Sequence, residues 1–410
     1  MKTPKKLTNR LQSRKDNNAL RSLTLPSTLV DFSSNDYLGF AQSETIFKET
    51  HQYLINHNFN QNGATGSRLL SGNYYLYNDV EKFLSDFHQT TSATIFNSGY
   101  DANVGFFSSV PQRGDFILYD AYSHASIRDG IQLSNAKAFK FLHNDLEDLE
   151  KMLKRLRPLD CAQGDKDIQS NKEMLNQVQH NNAEIYVVTE SVFSMDGDSP
   201  DLVAISKICK KYNAFLIVDE AHAIGVFGAG LVQKLNLQND VFARIITFGK
   251  AMGCHGAAIL GSKSLQNYLV NFARSFIYTT GLPPHSIATI KMAYQQLRLC
   301  SSEFEKNEQI CIENPQNQLQ KNIHHFIKEV KRLQLNFIPS CSAIHCCIIP
   351  ENSTVKLISE KLHQNGFDVK AILSPTVPKG KERLRFCLHS YNSTEEISEV
   401  LEFLSIFVNN

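Results

Sequence analysis

The sequence predicts an α/β fold, with an open, mainly parallel β-sheet, helices on both of its faces and a smaller α+β domain after it. Two observations support this prediction. Short runs rich in β-branched and aromatic residues alternate with longer amphipathic stretches through the middle of the chain. Several of these short runs are also apolar without interruption. Uninterrupted apolar runs are typical of strands that are covered on both faces, as in a parallel sheet.

The large domain is predicted to contain six strands, separated by helices. The predicted strands are Ala93–Asn97, Asp115–Tyr119, Ala138–Leu142, Glu184–Thr189, Ala214–Val218 and Ala243–Phe248. The clearest helical patterns are Asp79–His88, Asp145–Leu156 and Leu202–Tyr212. Ligands of open α/β sheets bind outside the carboxyl ends of the strands. The residues that follow these runs are therefore the candidates for a functional site.

The pattern changes after about Tyr294. Strands are predicted at Ala343–Ile349 and Arg383–Leu388, and helices at Val355–Asn365 and Glu395–Val408. We therefore expect an N-terminal segment (1–55), a large α/β domain (56–293) and a small α+β domain (294–410). The polar stretch 160–182 predicts a surface excursion between a helix and the next strand.

Composition argues against several classes of function. The formal net charge is +1, from 42 Lys and Arg against 41 Asp and Glu, which gives no electrostatic case for a nucleic-acid or membrane partner. No apolar run approaches the roughly 18 residues of a transmembrane helix, and the N-terminus lacks the apolar core of a signal peptide. Nine cysteines without a C-x-x-C pair form neither a disulfide framework nor a zinc pattern, which disfavours a cysteine-based metal or redox protein. We expect a cytoplasmic protein without a metal that acts on small molecules.

Two predicted strand ends carry reactive side chains. Residues 214–228 (AFLIVDEAHAIGVFG) are a buried strand that ends in Asp219, with His222 three residues later. Residues 243–261 (ARIITFGKAMGCHGAAILG) are a second strand, which leads through Thr247 to Lys250 in a turn of small residues. Low dielectric and neighbouring positive charge make a lysine amine nucleophilic. One acidic residue after a strand is more often a cap or a metal ligand, and one loop lysine is more often a surface residue, so the prediction depends on both segments together.

Taken together, the two segments match the needs of pyridoxal phosphate (PLP), which are a lysine for its aldehyde, a carboxylate for its ring nitrogen and donors for its phosphate. Lys250 can serve the aldehyde and Asp219 the nitrogen. The turn 97–100 (NSGY) leads from a strand into a helix, so that free backbone N–H groups and the helix dipole face an anion. His124 follows another strand end, where an imidazole can lie flat on the cofactor ring, although an isolated histidine is more often structural.

With these motifs in order along the chain, the sequence resembles the α-oxoamine synthases. These are fold-type I PLP enzymes that condense an amino acid with an acyl-CoA and release carbon dioxide. The resemblance runs from SNDYLG at 34–39 to RLRF at 383–386. Residues 63–84 (GATGSRLLSGNYYLYNDVEKFL) are similar to the members that act in biotin synthesis, which join L-alanine to pimeloyl-CoA or to pimeloyl-acyl carrier protein. One departure is Tyr77, because relatives commonly have a histidine at this position, on the acyl side of the site.

The resemblance implies catalytic roles for three residues. Lys250 would hold the cofactor, Asp219 would pair with its ring nitrogen, and His124 would stack on its ring. The same resemblance implies further cofactor ligands at Ser98, Gly99, Tyr100, Ser194, His222, Thr247, Thr279 and Thr280.

The resemblance also implies how the substrate and a second subunit are held. Arg385 corresponds to the arginine that grips the substrate carboxylate, a task that suits the bidentate guanidinium fork. Asn35 corresponds to a residue near the substrate entrance. Thr279 or Thr280 corresponds to the threonine that reaches the phosphate of the neighbouring subunit, which implies a homodimer.

Other activities remain open on these residues. A sibling enzyme, either a 2-amino-3-ketobutyrate CoA ligase or a serine-using long-chain base synthase, would have the same cofactor site. An aminotransferase could use the same scaffold. A non-catalytic partner subunit of a heterodimer is a further alternative, but such a subunit could lose its lysine, whereas this chain has Lys250, Asp219, His124 and His222 together.

Overall fold

The computed structural model describes residues 3–21, 23, 28–157, 183–302 and 314–409, without the side chains of 300–302 and 409. The predicted excursion at 160–182 lies outside the described residues. The chain forms two compact units. The larger unit contains residues 43–192 and 199–297, and the smaller unit contains residues 1–42, 193–198 and 298–410. The ranges expected from sequence group the chain differently, since they place 43–55 with the N-terminal segment and 193–198 in the large domain.

The larger unit is built on a seven-stranded sheet in the order β2-β8-β7-β6-β5-β3-β4. Its strands are β2 (Ser92–Phe96), β3 (Phe116–Asp120), β4 (Lys137–Phe141), β5 (Ile185–Glu190), β6 (Phe215–Asp219), β7 (Ala243–Thr247) and β8 (Ala257–Gly261). The strands β4, β3, β5, β6 and β7 pair in parallel, and β8 runs antiparallel to both β7 and β2. The mainly parallel α/β sheet predicted from sequence is confirmed.

Each of the six predicted strands is present with its bounds shifted by no more than one residue. The strand β8 was not predicted, because AAILG is short and rich in alanine and glycine, which have weak β propensity.

Helices cover both faces of this sheet, because its central strands are apolar on both sides. Val188, Ile217 and Ile245 pack into one core with Phe106 and Ile127. Their neighbours in sequence, Val187, Leu216 and Val218, pack into a second core with Leu149 and Ile205. Alternate side chains of a strand point to opposite faces, so these two clusters place a helical layer on each side.

The helices that begin in the larger unit follow the predicted strand–helix alternation. They are Glu44–Asn56, Tyr75–Phe87, Gly99–Ser109, Ala125–Gln132, Leu146–Leu156, Leu202–Lys211, Leu231–Lys234, Lys263–Phe272, Arg274–Ile277 and Pro284–Ser302. Several begin at a residue whose side chain accepts a backbone N–H of the first turn, as Ser98, Asp145 and Asp201 do.

The smaller unit contains the α+β arrangement expected at the end of the chain. Its three-stranded antiparallel sheet has the order β11 (Lys370–Ile372), β12 (Arg383–Cys387), β9 (Ile344–Ile348). A short parallel pair joins β1 (Val30–Asp31) to β10 (Phe367–Asp368). Its helices are Lys5–Asp16, Phe40–Gln42 (a 3-10 turn), Pro315–Arg332, Asn352–Gln364 and Thr394–Asn409. Across the ranges described, no helix has the length and apolar character needed to cross a bilayer.

Candidate active site

The candidate site of the larger unit lies where its parallel strands end. Since β3, β5, β6 and β7 are parallel, their carboxyl ends meet at one edge of the sheet. Nearly all of the predicted cofactor ligands of this unit lie at or just after these strand ends or just after β2. The residues at these positions are Asn97, Ser98, Gly99, Tyr100, His124, Glu190, Asp219, His222, Thr247 and Lys250.

Asp219 is the last residue of β6, and it is buried. Its Oδ1 accepts the backbone N–H of Ala221 at 2.9 Å, and its Oδ2 accepts the side-chain amide of Asn103 at 2.9 Å. These two bonds fix the plane of the carboxylate and leave it lone pairs for a further donor. A buried carboxylate of this kind can hold a protonated ring nitrogen.

Lys250 follows β7 in a tight turn and meets His222, which follows β6. The Lys250 Nζ lies 2.7 Å from His222 Nε2, and His222 is buried. The turn closes through bonds from Gly253 N–H to the Lys250 carbonyl and from Cys254 N–H to the Phe248 carbonyl. Gly253 has a positive φ of 62°, a conformation that favours glycine. The turn therefore sets the lysine amine beside a histidine at neighbouring strand ends.

His124 is fixed by two contacts at the start of the helix Ala125–Gln132. Its backbone N–H donates to Glu190 Oε1 at 2.6 Å, and its Nδ1 lies 2.7 Å from Ser126 Oγ. Burial of the imidazole lowers the pKa of His124, an effect that the Asp219 carboxylate opposes and the Lys250 ammonium reinforces. Burial raises the pKa of Glu190 well above its usual value, and the charge of Asp219 adds to this. The site therefore favours a neutral imidazole and a neutral Glu190 carboxyl.

The start of the helix Gly99–Ser109 forms a place for an anion. Ser98 caps this helix, and its hydroxyl oxygen accepts the backbone N–H of Asp101. The N–H groups of Gly99 and Tyr100 precede the first bonds within the helix, so they are available to a ligand. A Cβ added to Gly99 would lie 3.7 Å from Thr247 Oγ1, so the Thr247 hydroxyl borders the same space. The absence of a side chain at Gly99 keeps this space open.

These observations fit the cofactor that the sequence implies. Asp219 can pair with the ring nitrogen of PLP, and the Lys250 amine can bind its aldehyde. The helix start with Ser98, Gly99 and Thr247 offers the N–H and O–H donors that a phosphate requires.

Thr279 and Thr280 lie beside the residue that follows β2. The Asn97 side-chain amide donates to Thr279 Oγ1 at 3.1 Å and to the Thr280 carbonyl at 2.6 Å. The backbone N–H of Gly281 donates to the Gly66 carbonyl at 2.9 Å. These bonds give the threonine segment a defined position within its own subunit, and its reach to a second subunit stays a prediction.

Tyr77, the departure from the family pattern, supports the same segment. Its hydroxyl accepts the backbone N–H of Leu282 at 2.6 Å, and Tyr74 donates to the Leu282 carbonyl at 2.6 Å. The Arg68 guanidinium lies 3.8 Å from the centre of the Tyr77 ring, a cation–π geometry, and also pairs with Glu81. Tyr77 is buried, so at this position the aromatic ring fills the core and its hydroxyl holds the chain.

We expect Tyr77→Phe to lower the free energy of unfolding by about 1–3 kcal/mol, because the Leu282 N–H then loses its acceptor. Chemical denaturation measures the change. Tyr75→Phe is the matched control, since Tyr75 is 86% exposed, and it should change the free energy by less than about 0.5 kcal/mol. Equal stability of the two variants would contradict the role given to the Tyr77 hydroxyl.

The predicted substrate residues lie in the smaller unit, in a cluster around Arg385 on β12. The Arg385 Nε donates to the Ser194 carbonyl at 2.8 Å, and one terminal nitrogen donates to Asn35 Oδ1 at 3.0 Å. The other terminal nitrogen lies 2.9 Å from Cys387 Sγ, and Tyr37 donates to Asn35 Oδ1 at 3.0 Å. The structure therefore brings Arg385, Asn35 and Ser194 together. The proposed contact of the Ser194 hydroxyl with the cofactor stays a prediction.

Sequence reasoning missed three residues of the site. Glu190 directly follows the predicted strand Glu184–Thr189 and ends β5, so the strand-end rule that selects Asp219 applies to it as well. Asn103 lies four residues after Gly99 on the same helix, and this spacing puts both on one face. Ser126 had no signal of its own, because its role comes from packing.

Comparison with known proteins places these motifs in a family. Residues 27–404 match the family model described as aminotransferase class I and II. An 8-amino-7-oxononanoate synthase of Emericella nidulans is 37% identical over 97% of this chain and 94% of its own length. A solved serine palmitoyltransferase of S. paucimobilis, with a bound PLP–myriocin aldimine, has a TM-score of 0.81 at 25% identity and covers 99% of this chain and 97% of its own. An 8-amino-7-oxononanoate synthase of Francisella tularensis has a TM-score of 0.72 at 25% identity, covering 93% and 98%.

Proposed function

The chain belongs to the class I and II aminotransferase family, as a PLP-dependent acyltransferase of the α-oxoamine synthase type, and we propose that it makes 8-amino-7-oxononanoate. The substrates would be L-alanine and a pimeloyl thioester, carried on CoA or on acyl carrier protein. The products besides the amino ketone would be carbon dioxide and the free thiol. Such a reaction belongs to biotin synthesis.

The observation that carries the proposal is the meeting of Lys250 and His222, beside the buried Asp219, at the ends of neighbouring strands. This arrangement supports PLP chemistry. The choice of alanine and pimeloyl is supported by the 37% identity to the Emericella enzyme along nearly the whole chain.

Bound PLP supplies an electron sink for the negative charge that develops at the amino-acid Cα. Lys250 would hold the cofactor and would accept the Cα proton as general base. Asp219 would pair with the ring nitrogen. His124, as a neutral imidazole, could donate to a substrate oxygen.

The atoms balance with one new carbon–carbon bond. The alanine Cα bonds to the thioester carbonyl carbon, and the carbon–sulfur bond breaks, so that the thiolate leaves and takes up one proton from the solvent. The carboxylate then leaves as carbon dioxide, and Lys250 returns a proton to Cα. Water must stay away from the thioester during these steps, which a closed site can achieve.

Arg385 and Asn35 are proposed to hold the alanine carboxylate. A guanidinium whose Nε already bonds the Ser194 carbonyl is held in one orientation, which favours the two-point grip of a carboxylate.

We expect Arg385→Lys to raise the KM for L-alanine about 10- to 100-fold while the KM for the thioester changes less than about threefold, because only the carboxylate loses a charge-assisted bond. Steady-state kinetics with each substrate varied in turn measures both constants. Arg332→Lys, on an exposed arginine of the same unit, is the control. A thioester KM that rises as much as the alanine KM would contradict the assignment.

A cytoplasmic homodimer is part of the same proposal. The resemblance implies that a threonine of one subunit reaches the phosphate of the other, and the bonds from Asn97 hold Thr279 and Thr280 in a defined position.

The second candidate is a sibling activity on another amino acid and acyl chain. It is favoured by the TM-score of 0.81 to serine palmitoyltransferase, against 0.72 for the Francisella synthase. The family resemblance associates the position of Tyr77 with the acyl side of the site, so the tyrosine in place of the usual histidine adds to this alternative. An aminotransferase activity would use the same cofactor ligands without a thioester.

The test is a parallel set of reactions with the purified, PLP-loaded protein, analysed for amino ketones by mass spectrometry. L-Alanine is paired with pimeloyl-CoA and with pimeloyl-acyl carrier protein, glycine with acetyl-CoA, and serine with palmitoyl-CoA. We expect product only in the alanine–pimeloyl reactions. Product only in the glycine or serine reaction would refute the substrate assignment and leave the family unchanged.

A further inference from the structure

A chain of hydrogen bonds leads from the Asp219 carboxylate to the His124 imidazole. The Asn103 side-chain nitrogen lies 2.9 Å from Asp219 Oδ2 and 3.0 Å from Ser126 Oγ. Ser126 Oγ lies 2.7 Å from His124 Nδ1. Asp219, Asn103 and Ser126 are buried, so water does not compete for these bonds. The three residues lie on three different elements. Only the contact between His124 and Ser126 joins residues that are close in sequence.

The Asp219 carboxylate sets the direction of the Asn103 bonds, and the backbone N–H of Ser126 sets the direction of the contact with His124. A carboxylate oxygen accepts, so Asn103 must turn its NH2 group toward Asp219, and the second hydrogen of that group then points to Ser126 Oγ. Ser126 Oγ accepts from Asn103 and keeps its hydroxyl hydrogen for a second bond, which His124 Nδ1 can accept at 2.7 Å. The backbone N–H of Ser126 also donates to His124 Nδ1, at 3.3 Å. A ring nitrogen that accepts from two donors carries no proton of its own.

The Asn103 amide keeps this orientation although it leaves its own Oδ1 buried and, within the described part of the chain, without a partner. The orientation is therefore set by Asp219 and Ser126, which both need a donor.

We propose that Asn103 and Ser126 are positioning residues that hold His124 in the tautomer with its proton on Nε2. In this tautomer the open side of the imidazole offers a hydrogen-bond donor to an oxygen of the bound substrate, rather than a lone pair. Glu190 fixes the same residue from its backbone side through the His124 N–H. The assignment of a substrate oxygen as the acceptor of the Nε2 proton rests on the proposed function. The tautomer itself is a property of the resting protein.

The charges that face the imidazole set how much of it is neutral. Asp219 and Asp129 favour the protonated ring, while Lys250, Arg128 and burial favour the neutral one, and the balance lowers the pKa of His124. Ser126 acts differently from these charges, because it selects which of the two nitrogens holds the proton.

Nitrogen-15 NMR of the histidine-labelled protein reads the tautomer directly, with and without PLP. The chain has 14 histidines, and the spectrum of His124→Gln identifies the signals of His124 by their loss. In the wild-type protein we expect a protonated Nε2 and an unprotonated Nδ1. Ser126→Ala should mix the two tautomers and raise the pKa of His124 by about half a unit or more, since a donor to the neutral ring is gone.

Ser123→Ala is the matched control. It removes a hydroxyl from the turn that leads to His124. The Ser123 hydroxyl is as buried as that of Ser126 but has no hydrogen-bond partner among the described residues. A wild-type His124 protonated on Nδ1 would overturn the inference, and so would a Ser126→Ala spectrum that matches Ser123→Ala. These results do not depend on turnover, so they stand even if alanine and pimeloyl thioesters give no ketone.

Discussion

We expect replacement of Lys250 with alanine to lower turnover by on the order of 10⁴-fold and to abolish covalent attachment of the cofactor. The loss is large because one side chain performs two tasks, holding PLP at rest and moving the Cα proton during the reaction. Two measurements separate these tasks. The visible absorbance of the bound cofactor and the mass of the borohydride-reduced protein report attachment, and the rate of thiol release reports turnover.

The control is Lys263→Ala, which removes an exposed lysine of the same unit whose amine donates to the nearby Gln266. It should keep both cofactor attachment and turnover. If the Lys250→Ala protein still retains PLP through borohydride reduction and denaturation, another lysine holds the cofactor and the assignment is wrong.

Asp219→Asn should lower kcat about 100- to 1,000-fold, the effect typical of removing one electrostatic group at a reacting centre. An amide no longer keeps the ring nitrogen protonated, so the electron sink weakens. The structure adds a second reason. Asp219 accepts from both Asn103 and Ala221, and the new NH2 group cannot accept, so one of these two donors loses its bond.

Asp240→Asn is the control for this variant. Asp240 precedes β7, so it lies at the amino end of that strand, whereas Asp219 lies at the carboxyl end of the parallel strand β6. The control should keep full activity. Circular dichroism and thermal melting establish that both variants fold, and a folded Asp219→Asn protein with wild-type kcat would remove Asp219 from its role.

The sequence could predict the strands and the residues at their ends because both are local properties. Apolar runs identify the strands, and in a parallel sheet every strand ends at the same edge, so the positions of His124, Asp219 and Lys250 follow from pattern. Their roles are implied by the family resemblance.

Contacts that join distant parts of the chain could not be predicted in the same way. The bond from Asn103 to Asp219 depends on how the helix Gly99–Ser109 packs on the sheet, and a helical pattern in sequence does not give that packing. The short segment 193–198 belongs to the smaller unit, where Ser194 meets Arg385, although it lies in sequence between elements of the larger unit. Tyr77 stood out as a departure from the family, but its bond to Leu282 became visible only in the folded chain.

The fate of the alanine carboxylate tests the central claim most directly, because decarboxylative condensation and amino transfer treat it in opposite ways. The PLP-loaded enzyme is given L-alanine labelled with carbon-13 in its carboxylate, together with a pimeloyl thioester. Decarboxylative condensation predicts labelled carbon dioxide in a one-to-one ratio with released thiol, and an amino ketone without the label. Label retained in pyruvate, with no thiol released and the amino group passed to the cofactor or to an added 2-oxo acid, would contradict this assignment and identify an aminotransferase.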